Sequence, residues 1–300
     1  MLALTILGCN SAIAAYGRNP TAQVLQSQDE SFLIDCGEGT QMQMAKYKVK
    51  RSRISHIFIS HLHGDHYFGL IGLLTSMGLL NRTQPIHLHA PAPLEKIIEL
   101  QLNAADTKLP YELHFHPLNK TGLIASTPAI EVSAFPVKHR IDCWGFTFRE
   151  IKKPRKINPD RISSYGVPTT AYHALQMGED FVTAKGTIIP NDELTTAASR
   201  PRIYAYCADT VYNEDILPYI ADADLIYHEA TYLKELEERA AARFHSTTVQ
   251  AGTIAKKAGA KKLIIGHFSS KYEILDPFLE ETCSVFPNTE LAVEGSCFRI

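Results

Sequence analysis

No run of apolar residues in this sequence approaches the ~20 needed to cross a bilayer, which excludes a helical membrane span. Neither sign of charge is in large excess: the formal net charge is -2. A global basic field for nucleic acid is therefore excluded, and any polyanion contact must come from local patches. None of the six cysteines, Cys9, Cys36, Cys143, Cys207, Cys283 and Cys297, forms a Cys-x-x-Cys pair. Several lie in apolar strand-like runs, so buried thiols in a reducing cytosol are expected. The opening MLALTILGCNSAIA resembles a lipoprotein signal, but no Lys or Arg precedes its short apolar run. A first strand ending at Gly8 is expected instead, in a soluble, cytoplasmic chain.

What is present is core material. Hydrophobic residues make up 45% of 300, enough for one large domain or two medium ones. Short β-branched runs recur, among them Leu4-Gly8, Phe32-Asp35, Ser55-Ser60, Ile86-Ala90, Ile130-Phe135, Ile203-Cys207, Leu225-His228 and Leu263-Gly266. Helix-like stretches lie between them, notably Phe68-Leu80, Pro93-Ala105, Tyr232-Ala242, Thr247-Ala258 and Pro277-Cys283. Strands first, then strand-helix alternation, indicate α/β layers with mixed sheets. From Ile151 to about Arg200 the periodicity fades into turn formers and charges. A stretch of that kind inside a compact domain is usually functional or mobile. Candidate ligands fall on both sides of it, so the expectation is one domain over 1–300 with an arm inserted at 151–195.

The chemistry sits in SHLHGDH, residues 60–66. His61 and His63 are two apart at a strand end, so both rings can face one side. Gly64 permits a sharp turn, after which Asp65 and His66 approach from another direction. Imidazoles with a carboxylate suit Zn2+, with Fe2+ or Mn2+ possible. Two ligands on each side of a turn suggest two adjacent ions, which need further ligands. His139, Asp209 and His267 each follow a strand-like run, and strand ends converge at one edge of a layered sheet. Asp209 has two oxygens and could bridge. His228-Glu229 and His245 carry the types needed for a general acid and its orienting carboxylate, while Ser246 or Thr247 fits a helix cap. His87 and His89, and His114 and His116, share the His-x-His spacing without the Gly-Asp-His turn, so they read as ordinary strand residues, and His56 and His173 have no supporting context.

These residues, together with GRNPTA at 17–22, DCGEGTQ at 35–41, ADT at 208–210, HEAT at 228–231, HST at 245–247 and GHFSSKY at 266–272, resemble the short-form tRNase Z (ribonuclease Z) family of the metallo-β-lactamase fold superfamily. The motifs stand in family order over nearly the whole chain. The resemblance implies a four-layered αβ/βα sandwich with two mixed sheets, a homodimer and two zinc ions. One ion would be held by His61, His63, His139 and Asp209, the other by Asp65, His66, His267 and Asp209. Asp65 would also act as base, and His245, supported by Glu229, as proton donor. The implied activity removes the 3′ trailer from precursor tRNA, leaving a tRNA 3′-hydroxyl and a trailer 5′-phosphate. Lys271 stands where the family often has arginine, which keeps the charge but not a bidentate phosphate contact.

Two basic runs are candidates for RNA: KYKVKRSR at 46–53 and REIKKPRK at 149–156, with Lys152, Lys153, Arg155 and Lys156 in the second. A solvated face is the plain alternative for each, and the 149–156 run is the one read as an RNA contact, because it begins the arm. The competing functions are a small-molecule phosphodiesterase or thioester hydrolase on the same fold, and a non-catalytic RNA-binding protein.

Overall fold

The computed structural model describes residues 2–28 and 30–300; Met1 and Asp29 lie outside the described residues. The chain divides into two compact units, Met1–Arg149 with Arg202–Ile300, and Glu150–Pro201.

In the larger unit the chain begins with β1 (Leu2–Gly8), β2 (Ala22–Ser27), β3 (Glu30–Cys36) and α1 (Thr40–Lys46). It continues through β4 (Ile54–Phe58), α2 (Gly64–Tyr67), α3 (Leu70–Leu79), β5 (Ile86–Ala90), α4 (Pro93–Ala104), β6 (Leu113–Pro117), β7 (Gly122–Ser126), β8 (Ile130–Val137) and β9 (Cys143–Glu150). The smaller unit holds β10 (Lys156–Ile157), α5 (Pro159–Tyr165), α6 (Tyr172–Met177), β11 (Phe181–Val182), β12 (Ile188–Ile189), α7 (Asn191–Leu194) and β13 (Thr195–Thr196). The larger unit resumes with β14 (Ile203–Cys207), α8 (Leu217–Ile220), β15 (Leu225–Glu229), α9 (Glu237–Ala242), α10 (Thr248–Lys257), β16 (Leu263–Gly266), α11 (Asp276–Val285), β17 (Thr289–Leu291) and β18 (Cys297–Arg299).

Two seven-stranded sheets result, β18-β1-β2-β3-β4-β5-β6 and β17-β16-β15-β14-β9-β8-β7. Both are mixed: β1, β2 and β3 pair antiparallel while β3 to β6 run parallel, and β9 pairs antiparallel with a parallel set β14 to β17. The period of two in each strand explains the layers. Phe32, Ile34 and Phe58 face inward to meet Phe146, Phe148, Tyr204 and Tyr206 of the second sheet. Their neighbours Leu33, Ile57 and Ile59 face outward beneath Met44 of α1, Leu73 of α3 and Leu94 of α4. On the other side Ala251 and Ile254 of α10 and Phe278 of α11 join the core of the second sheet. The order is helix, sheet, sheet, helix.

Two expected helices are shorter than the sequence suggests. The stretch 68–80 is preceded by a separate short helix and starts only at Leu70. Gly69 passes so close to the backbone that a Cβ there would stand 2.2 Å from the Gly37 carbonyl oxygen. The stretch 232–242 is α-helical only from Glu237, because Tyr232 is held in a bridge with Thr247.

The smaller unit is not the patternless excursion its sequence suggests. Ile162, Val167, Leu175, Ile189 and Leu194 form a core of their own. Asn191 ties it together, its side-chain amide donating to the carbonyls of Leu175 and Glu179.

Candidate active site

Parallel strands put their C-terminal ends on one side of a sheet, and the candidate residues lie there. His61 and His63 follow β4, Asp209 follows β14, Glu229 ends β15 and His267 follows β16. His139 follows β8, and Asp65 and His66 occupy the first turn of α2.

Two groups form. In the first, His63 Nδ1 lies 2.9 Å from His61 Nε2 and 3.1 Å from His139 Nε2, and Asp209 Oδ2 is 3.7 Å from His61 Nε2. In the second, His267 Nε2 lies 3.3 Å from His66 Nε2 and 3.4 Å from Asp65 Oδ2. The other oxygen of Asp209, Oδ1, stands 3.3 Å from His267 Nε2 and 3.5 Å from His66 Nε2. Within each of the sets His61, His63, His139, Asp209 and Asp65, His66, His267, the candidate ligand atoms all lie within 4.8 Å of one another. Nitrogen and carboxylate donors gathered this closely fit a borderline divalent cation.

The outward ring nitrogens are also engaged, which fixes ring orientation. His66 Nδ1 donates to Asp35 Oδ2 across 2.7 Å, and His139 Nδ1 donates to the Phe244 carbonyl across 2.9 Å. His267 Nδ1 meets Thr231 Oγ1 at 3.0 Å, and His61 Nδ1 meets Ser60 Oγ at 3.0 Å. Burial pushes His63 down to about 4, with His139 adding to the shift, and burial also holds His61 and His139 low. Neutral imidazoles present lone pairs, the form a metal takes.

Asp35 is the residue the sequence reading missed. It sits within DCGEGTQ, a string to which spacing assigns no chemistry. Fully buried and in left-handed backbone (φ 55), it accepts from Ser60 N, Ser60 Oγ, Tyr206 Oη and His66. Four donors hold one carboxylate beneath the site.

Beside the second group, His245 Nδ1 lies 2.9 Å from Glu229 Oε1. Glu229 is buried and also accepts from Thr210 N, Thr231 N and Thr231 Oγ1. Burial would lower His245, but Glu229, then Asp209, outweigh it and raise the ring to about 9. His245 is therefore charged at neutral pH. The cap question resolves locally: Thr247 caps α10 in a reciprocal pair with Gln250, and Ser246 Oγ donates to the Thr210 carbonyl. His228 is buried, its Nδ1 engaged with the Glu229 carbonyl, and it is absent from the candidate ligand groups.

Lys271 is exposed four residues after His267. Lys152, Lys153 and Lys156 are exposed on the smaller unit, but the Arg155 guanidinium is committed to Asp192 and Thr195 Oγ1. The run 46–53 leads into β4 at Ile54, the end of the strand opposite His61. At ~3.3 Å per residue this places the C-terminal end of the run roughly 20 Å from the site.

The chain is similar to the ribonuclease Z of Bacteroides fragilis, 42% identical over 99% of this chain and 98% of that one. It superimposes on the human short-form tRNase Z with a TM-score of 0.73, at 27% identity over 99% of each chain. The metallo-β-lactamase fold protein YhfI from Bacillus subtilis gives a TM-score of 0.69 at 19% identity, covering 99% of this chain and 98% of that one, a likeness of fold. The expected metallo-β-lactamase sandwich is thus the fold. A family model described as the anti-Pycsar protein Apyc1 matches residues 2–150. That segment contains His61, His63, Asp65, His66 and His139 but ends before Asp209, Glu229 and His245.

Proposed function

The chain belongs to the ribonuclease Z family, and from that membership we propose that it is a metal-dependent endoribonuclease that removes the 3′ trailer of precursor tRNA, leaving a tRNA 3′-hydroxyl and a trailer 5′-phosphate. The observation that carries the site assignment is Asp209, whose Oδ2 faces one ligand group while Oδ1 faces the other. Two zinc ions are the proposed occupants, the first on His61, His63, His139 and Asp209, the second on Asp65, His66, His267 and Asp209.

Bound there, the ions would supply Lewis acidity toward the attacking water and the scissile phosphoryl group. The remaining work falls to the chain. Asp65 Oδ2 is steadied by the Ala12 N–H at 2.7 Å and is the proposed acceptor of the water proton. Burial alone would raise its pKa, but His66 and His267 hold it well below the usual carboxylate range. The leaving ribose 3′ oxygen needs a proton. Glu229 engages Nδ1 of the charged His245, so Nε2–H is the proton to give. Such a donor is typically worth ~10²–10⁴-fold.

For substrate holding we assign Lys152, Lys153 and Lys156 of the 151–195 arm to RNA phosphates. Their exposure supports this, whereas Arg155 serves the arm's own structure. Lys271, beside the proposed second ion site, is assigned a phosphate near the cleavage point. The expected homodimer is supported by apolar side chains exposed on the first helical layer, Met42, Leu79 and Leu100. No helix among the described residues is long and apolar enough to cross a membrane, and work on precursor tRNA makes the cytoplasm the proposed compartment.

Three substrates test the function: a pre-tRNA with a 3′ trailer, mature tRNA and a small phosphodiester. Rapid, metal-dependent cleavage of the first alone or far ahead of the third is expected. Hydrolysis of the small diester with the pre-tRNA untouched would replace this function with a small-molecule phosphodiesterase.

A further inference from the structure

The loop between β1 and β2 reaches the candidate metal centre and carries a strained turn. Ser11 N donates to the carbonyl of Phe268, the residue after His267, and Ala12 N donates to Asp65 Oδ2. The loop therefore lies against the second ligand group. Further along, Ala15 and Arg18 exchange both backbone hydrogen bonds, at 2.9 and 3.0 Å, around the two residues Tyr16 and Gly17. Both turn residues are left-handed, with φ 53 and 74.

Gly17 takes that backbone freely, but Tyr16 does not. Asn, Asp or Gly is the usual first residue of such a turn. Burial does not compensate, because Tyr16 is 54% exposed. Its hydroxyl has no hydrogen-bond partner among the described residues. What holds the ring is Arg18, whose guanidinium carbon stands 5.3 Å from the ring centroid. Arg18 is itself pinned: Nε donates to Asn10 Oδ1 at 2.9 Å, Nη1 to the Glu273 carbonyl at 3.0 Å, and Nη2 to the Tyr272 carbonyl. An exposed cation–π contact returns less than left-handed strain costs. Strain kept beside an active site points to function.

We propose that Tyr16 is a stacking platform for one base of the bound RNA, close to the scissile phosphate. The proposal rests on the ribonuclease function and names a part of the substrate that this loop holds. A base stacks on a fixed aromatic face open to solvent, and does so whatever its sequence. Arg18 fixes the ring, and its exposed surface is what an incoming base would cover. Tyr16 is four residues from Ala12, so their Cα atoms lie within about 14 Å of each other. The platform is thus a few nucleotides at most from Asp65. Lys271, assigned to a phosphate near the cleavage point, directly precedes the Tyr272 carbonyl that holds Arg18.

The test is single-turnover cleavage of a trailer-bearing pre-tRNA by metal-loaded enzyme, below saturation, with one nucleotide at a time near the cleavage point made abasic. Asn suits the left-handed turn, so the thermal midpoint of Tyr16→Asn should equal or exceed that of wild type. Its cleavage should fall about 5–150-fold, the worth of one base stack. Tyr16→Phe, which keeps the ring, should restore the rate. One abasic position should cost wild type a similar factor and cost Tyr16→Asn nothing more. A merely structural Tyr16 would not give that non-additivity. Cleavage by Tyr16→Asn at the wild-type rate, or losses that add at every abasic position, overturns the platform while the ribonuclease function stands. A wild type that leaves the pre-tRNA uncut overturns that function, and the platform with it.

Discussion

Asp35 and His66 meet across 2.7 Å beneath the candidate metal centre, and the carboxylate also receives Ser60 and the Tyr206 hydroxyl. A carboxylate behind a ligating imidazole fixes its tautomer and raises its basicity. Asp35→Asn is therefore expected to weaken metal binding by about 10–100-fold. Chelator competition on folded protein measures this; wild-type affinity would remove Asp35 from the site.

Glu229 controls His245 through one short contact, and this gives a pH signature. A donor acts only while protonated, and His245 is raised to about 9 against the lowering effect of burial. Single-turnover cleavage should hold up to about pH 9 and fall above it. Glu229→Gln removes the main raising charge, so the alkaline limb should move down by about a unit or more. An unmoved limb would assign it to another group.

The smaller unit has its own core, so it can be removed without opening the core of the larger one. Replacing 151–195 by a short linker should cripple pre-tRNA cleavage while sparing a small phosphodiester. Equal loss on both substrates would contradict the arm's assignment to RNA.

Two glycines should respond in opposite directions. A Cβ on Gly8 would lie 1.7 Å from the Pro20 carbonyl oxygen, so Gly8→Ala must shift backbone and should cost about 1–3 kcal/mol. Gly72 is exposed on α3, and the nearest atom to an added Cβ is Gln41 Oε1 at 3.6 Å. Gly72→Ala should stabilise by up to about 1 kcal/mol. Thermal and urea unfolding of the two variants decide it.

Several of the candidate ligands were legible in the sequence because they stand at the ends of apolar runs, and parallel topology gathers such ends. His61, Asp209 and His267 follow that rule. Their supports were not legible. Asp35 reaches His66 only through the pairing of β3 with β4, and Tyr206 reaches Asp35 only through the packing of one sheet on the other. The shared face of His56, His87, His89, His114 and His116 was missed for the same reason: His-x-His is visible in β5 and β6, but the register that sets them beside β4 is not. The smaller unit was misread as patternless because its strands are two residues long, too short to show a period.

The most direct measurement compares wild type and His245→Ala at equal metal content, in single-turnover cleavage of a trailer-bearing pre-tRNA with both product ends mapped. Wild type should give a tRNA 3′-hydroxyl and a trailer 5′-phosphate, and the variant should bind the same metal yet cleave about 10²–10⁴-fold more slowly. Cleavage at the wild-type rate by His245→Ala, or products with the phosphate on the tRNA, would contradict a metal centre working with a His245 proton donor.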